Sequence, residues 1–184
     1  MREDYEVVIF DMGGVLLNLA AMWTGTDELV VCLTSKLANQ IGRKHAPINV
    51  FSGWLPEERD KVIVYEDMMR AVATLKRKGY RTALLTNNFF IDEQRKRPTV
   101  HVDTTNFDVV VESCRVGICK PSEQIYKIVL DRLGVSGDKC IFLDDSKKFC
   151  IAANKLGITS VHVNAGDTGA ALKRLEELLH ITLI

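Results

Sequence analysis

Two patterns take turns along this chain. Short unbroken apolar runs are followed by longer stretches in which apolar positions return every three or four residues. The first run, VVIF at residues 7–10, is β-branched and aromatic throughout and reads as a strand buried on both faces. It leads straight into Asp11, an acid that a buried strand tolerates badly unless the acid has chemistry to do. Gly13 and Gly14 follow, where the backbone must turn sharply or admit a ligand closely.

The pattern resumes at residues 65–79, where Met68, Met69, Val72 and Leu75 form a helical stripe closed by Gly79. TALLT at 82–86 is a second buried strand ending in Thr86 and Asn87, and FDVVVES at 107–113 is a third. GICKPSEQIYKIVLDRLG reads as a short strand and a helix that Lys120 and Pro121 open. KCIFLDD at 139–145, ending in Asp144 and Asp145, is the next strand. The helix SKKFCIAANKLG, the strand TSVHVN and the helix TGAALKRLEELLHI complete the series. Strands alternating with helices, each crossover long enough for a right-handed return, imply an α/β fold: a doubly wound, Rossmann-like parallel sheet. The expected lateral order is third, second, first, fourth, fifth strand. Residues 18–65 break the series with a helical stretch at 26–42, capped by Thr26 or Asp27 and ended by Gly42, and an irregular stretch holding Pro47, Gly53, Trp54 and Pro56. That segment is expected to be an insertion above the site, leaving residues 1–17 and 66–184 as the core.

Composition narrows the function. The 184 residues fit one domain with a small insertion. Twenty-four basic residues balance twenty-four acidic ones, so no whole-molecule field points to nucleic acid or an anionic membrane. No apolar run approaches a bilayer span. The acidic start, MREDYE, runs into the first strand, and no signal or transit peptide is expected. Five cysteines without CxxC spacing argue against a disulfide framework or a zinc site and for a reduced, intracellular protein. His45, His101, His162 and His180 show no ligand or triad spacing and read as structural or solvated. No pattern sets an oligomeric state.

In a parallel sheet all carboxyl ends lie on one edge, so Asp11, Thr86, Asn87, Asp144 and Asp145 converge with Lys120. Carboxylates, a lysine and a hydroxyl together make a hard, oxygen-rich site suited to Mg²⁺ and a phosphate. The carboxylates would hold the metal and Thr86 and Lys120 the phosphoryl oxygens, leaving Asp11 as a nucleophile that forms an aspartyl phosphate.

FDMGGV, LLTNN, CKP and FLDD, in that order, resemble the four motifs of the haloacid dehalogenase-like phosphohydrolase superfamily. The fuller wording (FDMGGVLL, LTNNFF, FDVVVES, GICKP, IYK, IFLDD) is similar to the branch holding the N-terminal phosphatase-like domain of acyl-CoA dehydrogenase family member 10. The phosphatase-like domain of soluble epoxide hydrolase is a more distant likeness. The resemblance implies a Mg²⁺-dependent phosphatase acting on a small phosphorylated substrate. It makes Asp11 the nucleophile, Thr86 and Asn87 phosphate ligands and Lys120 the charge balance. Asp145 and the Gly13 carbonyl would ligate Mg²⁺, with Asp144 beside them, and residues 18–65 would be a shortened helical cap.

Three departures accompany the likeness. The superfamily's phosphatases usually carry a second aspartate, the general acid/base, two residues past the nucleophile, where this chain has Gly13. A further Asp or Asn often stands four residues past the metal-binding acid, where this chain has Phe149. The cap is short. A weakened phosphatase is therefore expected, with a catalytically silent phosphate- or partner-binding domain of an acyl-CoA dehydrogenase-related protein as the alternative. A metal-free dehalogenase is disfavoured by the paired carboxylates Asp144 and Asp145.

Overall fold

The computed structural model describes residues 4–18, 63–88, 90, 94, 96, 98, 101–164 and 166–184. The helix expected at 26–42 lies outside the described residues.

A central sheet of five strands is built from β1 (Val7–Phe10), β4 (Arg81–Thr86), β5 (Val109–Glu112), β6 (Cys140–Asp144) and β7 (Thr159–His162), in the lateral order β5-β4-β1-β6-β7. Every neighbouring pair is parallel, which is the doubly wound order expected from the pattern. A two-stranded antiparallel ribbon of β2 (Leu17–Asn18) and β3 (Ile63–Val64) joins the two ends of the segment between them, pairing Leu17 with Val64 and Asn18 with Ile63.

Side-chain alternation explains the layering. Val8 and Phe10 of β1 pack into one apolar cluster with Leu84, Ile141 and Leu143. That face is covered by α1 (Glu66–Arg77), through Met68, Val72 and Leu75, and by α5 (Thr168–Leu179), through Leu172 and Leu175. Val7 and Ile9 point the other way, into a cluster with Ala83, Leu85 and Phe142. There α3 (Glu123–Leu133) contributes Ile125, Tyr126 and Val129, and α4 (Lys147–Asn154) contributes Ala152 and Ala153. All four β1 side chains are fully buried, and at about 1.5–3 kcal/mol for each such residue the central strand anchors both faces. Asp167 caps α5, its carboxylate accepting the Ala170 N–H at 3.0 Å.

One expected stretch differs. No strand forms at 117–119; the chain makes the single-turn helix α2 (Ser113–Val116), closed by Gly117 at φ 73°, then an irregular segment. Helix α3 begins at Glu123, past Pro121 rather than at it. Lys120 therefore sits in a loop ahead of the helix. A residue before proline is biased away from the helical region, and the backbone N–H and C=O of Lys120 are both bound by the Asn87 side chain, which leaves neither for a helix.

Candidate active site

β1 ends at Phe10, and Asp11 continues its ladder for one more bond: the Asp11 N–H donates to Leu143 O at 2.9 Å. This holds the Asp11 carboxylate, which is buried, beside the end of β6. Lys120 reaches the same place from its loop. Its Nζ lies 2.8 Å from Oδ1 of Asp11 and 2.7 Å from Oδ2 of Asp144, and its side chain has no solvent exposure. A buried ammonium without partners would cost several kcal/mol; two carboxylates offset that cost. Burial alone would lower the Lys120 pKa, but Asp11 and Asp144 raise it further, so it stays an ammonium. Burial pushes the Asp144 carboxyl up, to about 7, against the opposing pull of Lys120. The remaining Asp144 oxygen, Oδ1, accepts the Ser146 N–H at 2.8 Å.

Asn87, expected to bind phosphate, uses its side chain elsewhere. Its Nδ2 donates to the Lys120 carbonyl at 3.1 Å and its Oδ1 accepts the Lys120 N–H at 2.8 Å. The amide thus fixes the lysine backbone from the end of β4. Thr86, the last residue of β4, is buried at the same carboxyl edge and pairs in register with Glu112. Asn88 is also buried: Ser113 Oγ both accepts its N–H and donates to its carbonyl at 3.0 Å, and its Nδ2 donates to Glu112 at 3.0 Å. It ties β4 to β5.

Beyond Asp11 the chain turns. The Leu16 and Leu17 N–H groups both donate to Met12 O at 2.9 Å, and Gly14 N–H donates to Leu17 O at 2.8 Å. Gly14 adopts φ +70°, and a β-carbon there would meet Oδ2 of Asp145 at 2.2 Å. The space a side chain would need is filled by that carboxylate. Gly13, between Met12 and Gly14, does not take a positive φ. His162, read from sequence as structural or solvated, sits on β7 opposite Asp144, and its Nε2–H donates to the Asp145 carbonyl at 2.9 Å. Sequence reasoning missed these parts of Gly14 and His162; the only signal was the second glycine of the GG pair.

Asp11, Asp144 and Asp145 each offer an oxygen, all within 4.8 Å of one another. Oδ1 of Asp11 is buried and makes its ion pair with Lys120 without hydrogen-bond geometry, leaving acceptor capacity unused. A hard cation with oxygen ligands fits that donor set. The structure thus brings together Asp11, Lys120, Asp144 and Asp145, with Thr86 and Asn87 on the neighbouring strand end. Burial pushes the Cys114, Cys140 and Cys150 thiols up to about 12, so they are poor nucleophiles near neutrality.

A family model for haloacid dehalogenase-like hydrolases matches residues 44–157. The chain belongs to that family. It is 35% identical to acyl-CoA dehydrogenase family member 10 of Mus musculus over 80% of its own length, and 37% identical to bifunctional epoxide hydrolase 2 of Sus scrofa over 64%. It spans only 13% and 21% of those two proteins. Phosphatase MT3486 of Mycobacterium tuberculosis is 26% identical, with 88% of each chain covered. Among solved structures, a HAD phosphatase from Thermococcus onnurineus superposes with a TM-score of 0.63 at 20% identity, covering 97% of this chain and all of the other. A HAD family enzyme from Bacteroides thetaiotaomicron, complexed with magnesium and inorganic phosphate, gives 0.58 at 19%, covering 88% and 96%. These structural likenesses establish the fold alone: a parallel central sheet with helices on both faces. Among the described residues, no helix is long and apolar enough to cross a membrane.

Proposed function

We propose that this chain is a Mg²⁺-dependent phosphohydrolase of small phosphate monoesters, working through Asp11 and slowed by glycine at position 13. The observation that carries it is the Lys120 ammonium, 2.8 Å from Asp11 and 2.7 Å from Asp144, buried at the carboxyl edge of a parallel sheet. Phosphatases among the relatives support the substrate class.

Asp11, Asp145 and the Gly13 carbonyl would hold Mg²⁺, with Asp144 beside them. When bound, the cation neutralises charge so that carboxylate and phosphate can approach each other. The Asp11 carboxylate attacks phosphorus and the ester P–O bond breaks, leaving an aspartyl phosphate and an alkoxide. Lys120, the Thr86 hydroxyl and the Asn87 backbone N–H stabilise the phosphoryl oxygens during transfer. Water then attacks the intermediate and releases phosphate, restoring Asp11. Gly13 supplies no proton to the alkoxide and no base to the water, so both steps lean on solvent. We further propose that residues 18–65 are a reduced cap over this site. The test is a screen of phosphate esters with and without Mg²⁺, run beside Asp11→Asn. Turnover that needs both Mg²⁺ and Asp11 is expected. A folded chain without turnover on any ester favours the second reading, a silent phosphate- or partner-binding domain, to which Gly13 also points.

A further inference from the structure

Phe149 lies four residues past Asp145, where the resemblance leads one to expect an acid or an amide, and the reaction as proposed gives it no part. Its ring covers Lys120. The lysine Nζ lies 5.0 Å from the Phe149 ring centroid and 5.4 Å from that of Phe142, both inside the ~6 Å over which an aromatic face attracts an ammonium. Both rings are held. Phe142 is fully buried on β6 and meets Tyr126 edge-on, with centroids 5.8 Å apart and planes at 82°. The Tyr126 hydroxyl donates to the Phe149 carbonyl at 3.0 Å, and the Phe149 N–H donates to Ser146 O at 2.9 Å in the first turn of α4. The helix that starts just past Asp145 therefore delivers this ring to the lysine, and Tyr126 braces it from α3.

We propose that Phe149 is a positioning residue: together with Phe142, its ring face holds the Lys120 ammonium against Asp11 and Asp144. The lysine side chain is withdrawn from water, where the attraction of a ring face is strongest. The two carboxylates fix two directions around Nζ, and the rings supply a further attraction that keeps the ammonium in place before any phosphate arrives. The consequence for catalysis rests on the phosphatase reading above. The contact between ring and ammonium exists whether or not the chain turns over a substrate.

The experiment replaces Phe149 in the full chain with mono-, di- and trifluorophenylalanine. Fluorine drains charge from the ring face while making the ring more apolar and changing its shape little. Urea denaturation should show the unfolding constant rising stepwise, by about three- to thirtyfold over the series, the range for a partly to fully desolvated contact. The ammonium resonance of Lys120, followed in protein labelled with ¹⁵N-lysine, should shift with each fluorine. A ring that merely packs would leave the unfolding constant unchanged or lower, and that result overturns the proposal. An unmoved Lys120 resonance would show that the ring does not face the ammonium and overturns it too. Affinity for inorganic phosphate in Mg²⁺ buffer, by calorimetry, should fall in the same order, and an affinity unchanged across the series overturns the positioning role. If the unmodified protein binds no phosphate, the phosphatase reading fails, and the unfolding constant still decides the ring's role.

Discussion

Gly14 and Asp145 occupy one space between them. A β-carbon on Gly14 would stand 2.2 Å from Oδ2, 2.5 Å from Cγ and 2.9 Å from Cβ of Asp145. The turn after β1 can pass this close only because it has no side chain there, and the carboxylate lies where the turn leaves room.

Gly14→Ala should therefore do two things. The left-handed backbone, at φ +70°, strains any L-residue by about 1–2 kcal/mol and should lower Tm by roughly 2–8 °C. The methyl group should also push the Asp145 carboxylate aside and weaken Mg²⁺ binding by roughly tenfold or more, as displaced supports of metal ligands do. Calorimetric titration with Mg²⁺ checks the second effect; unchanged affinity would remove Asp145 from the metal site.

Asn87 should prove structural before it proves catalytic. Asn87→Ala strips two hydrogen bonds from the Lys120 backbone, and unmet groups of that kind cost about 1–3 kcal/mol each when buried. Asn87→Asp keeps an acceptor for the Lys120 N–H but sets a carboxylate oxygen against the Lys120 carbonyl, so it should destabilise at least as much. Urea denaturation of both variants measures this. Full stability with a raised KM would mean that the side chain serves substrate instead.

His162→Leu should loosen Asp145, whose carbonyl accepts the imidazole Nε2–H at 2.9 Å. Mg²⁺ affinity should fall by roughly tenfold, the scale for a lost support of a metal ligand. His162→Gln places an amide N–H at similar reach and should recover most of it. Equal affinities for the Leu and Gln variants would show that the hydrogen bond does not matter.

Gly13→Asp places a carboxyl two residues past Asp11, at a position whose φ is not positive. A positioned general acid/base is worth roughly 10²–10⁴ in rate, so turnover of alkyl phosphates should rise at least about tenfold. Aryl and acyl phosphates, whose leaving groups need little protonation, should gain less. A folded, Mg²⁺-binding variant that remains inactive would place the defect elsewhere.

The parts of this molecule that follow from local pattern were legible in the sequence. Short unbroken β-branched and aromatic runs such as VVIF and IFLD, alternating with helical stretches, read as central strands of a parallel sheet. Once the strands are parallel, Asp11, Thr86 and Asp144 must share an edge. What was not legible depends on contacts between distant segments. Asn87 reads as one more polar residue at a strand end; its hold on Lys120 spans 33 positions. Lys120 before Pro121 reads as a helix start, and only that hold shows why it stays in a loop. Gly14 reads as a turn former, while the reason for its bareness, Asp145, lies on another strand's exit. Phe149 reads as a missing metal-loop residue, and only the fold places its ring over a lysine.

An Asp11 that serves as nucleophile becomes phosphorylated during turnover. The direct measurement incubates the chain with Mg²⁺ and a radiolabelled aryl or acyl phosphate, quenches in acid, and looks for label on the protein. Without an acid/base at position 13, water attack should be slow and the intermediate should accumulate. The expected result is a hydroxylamine-labile label that peptide mass spectrometry places on Asp11 and that Asp11→Asn lacks. Turnover with no label on Asp11, or a label that survives Asp11→Asn, would contradict it.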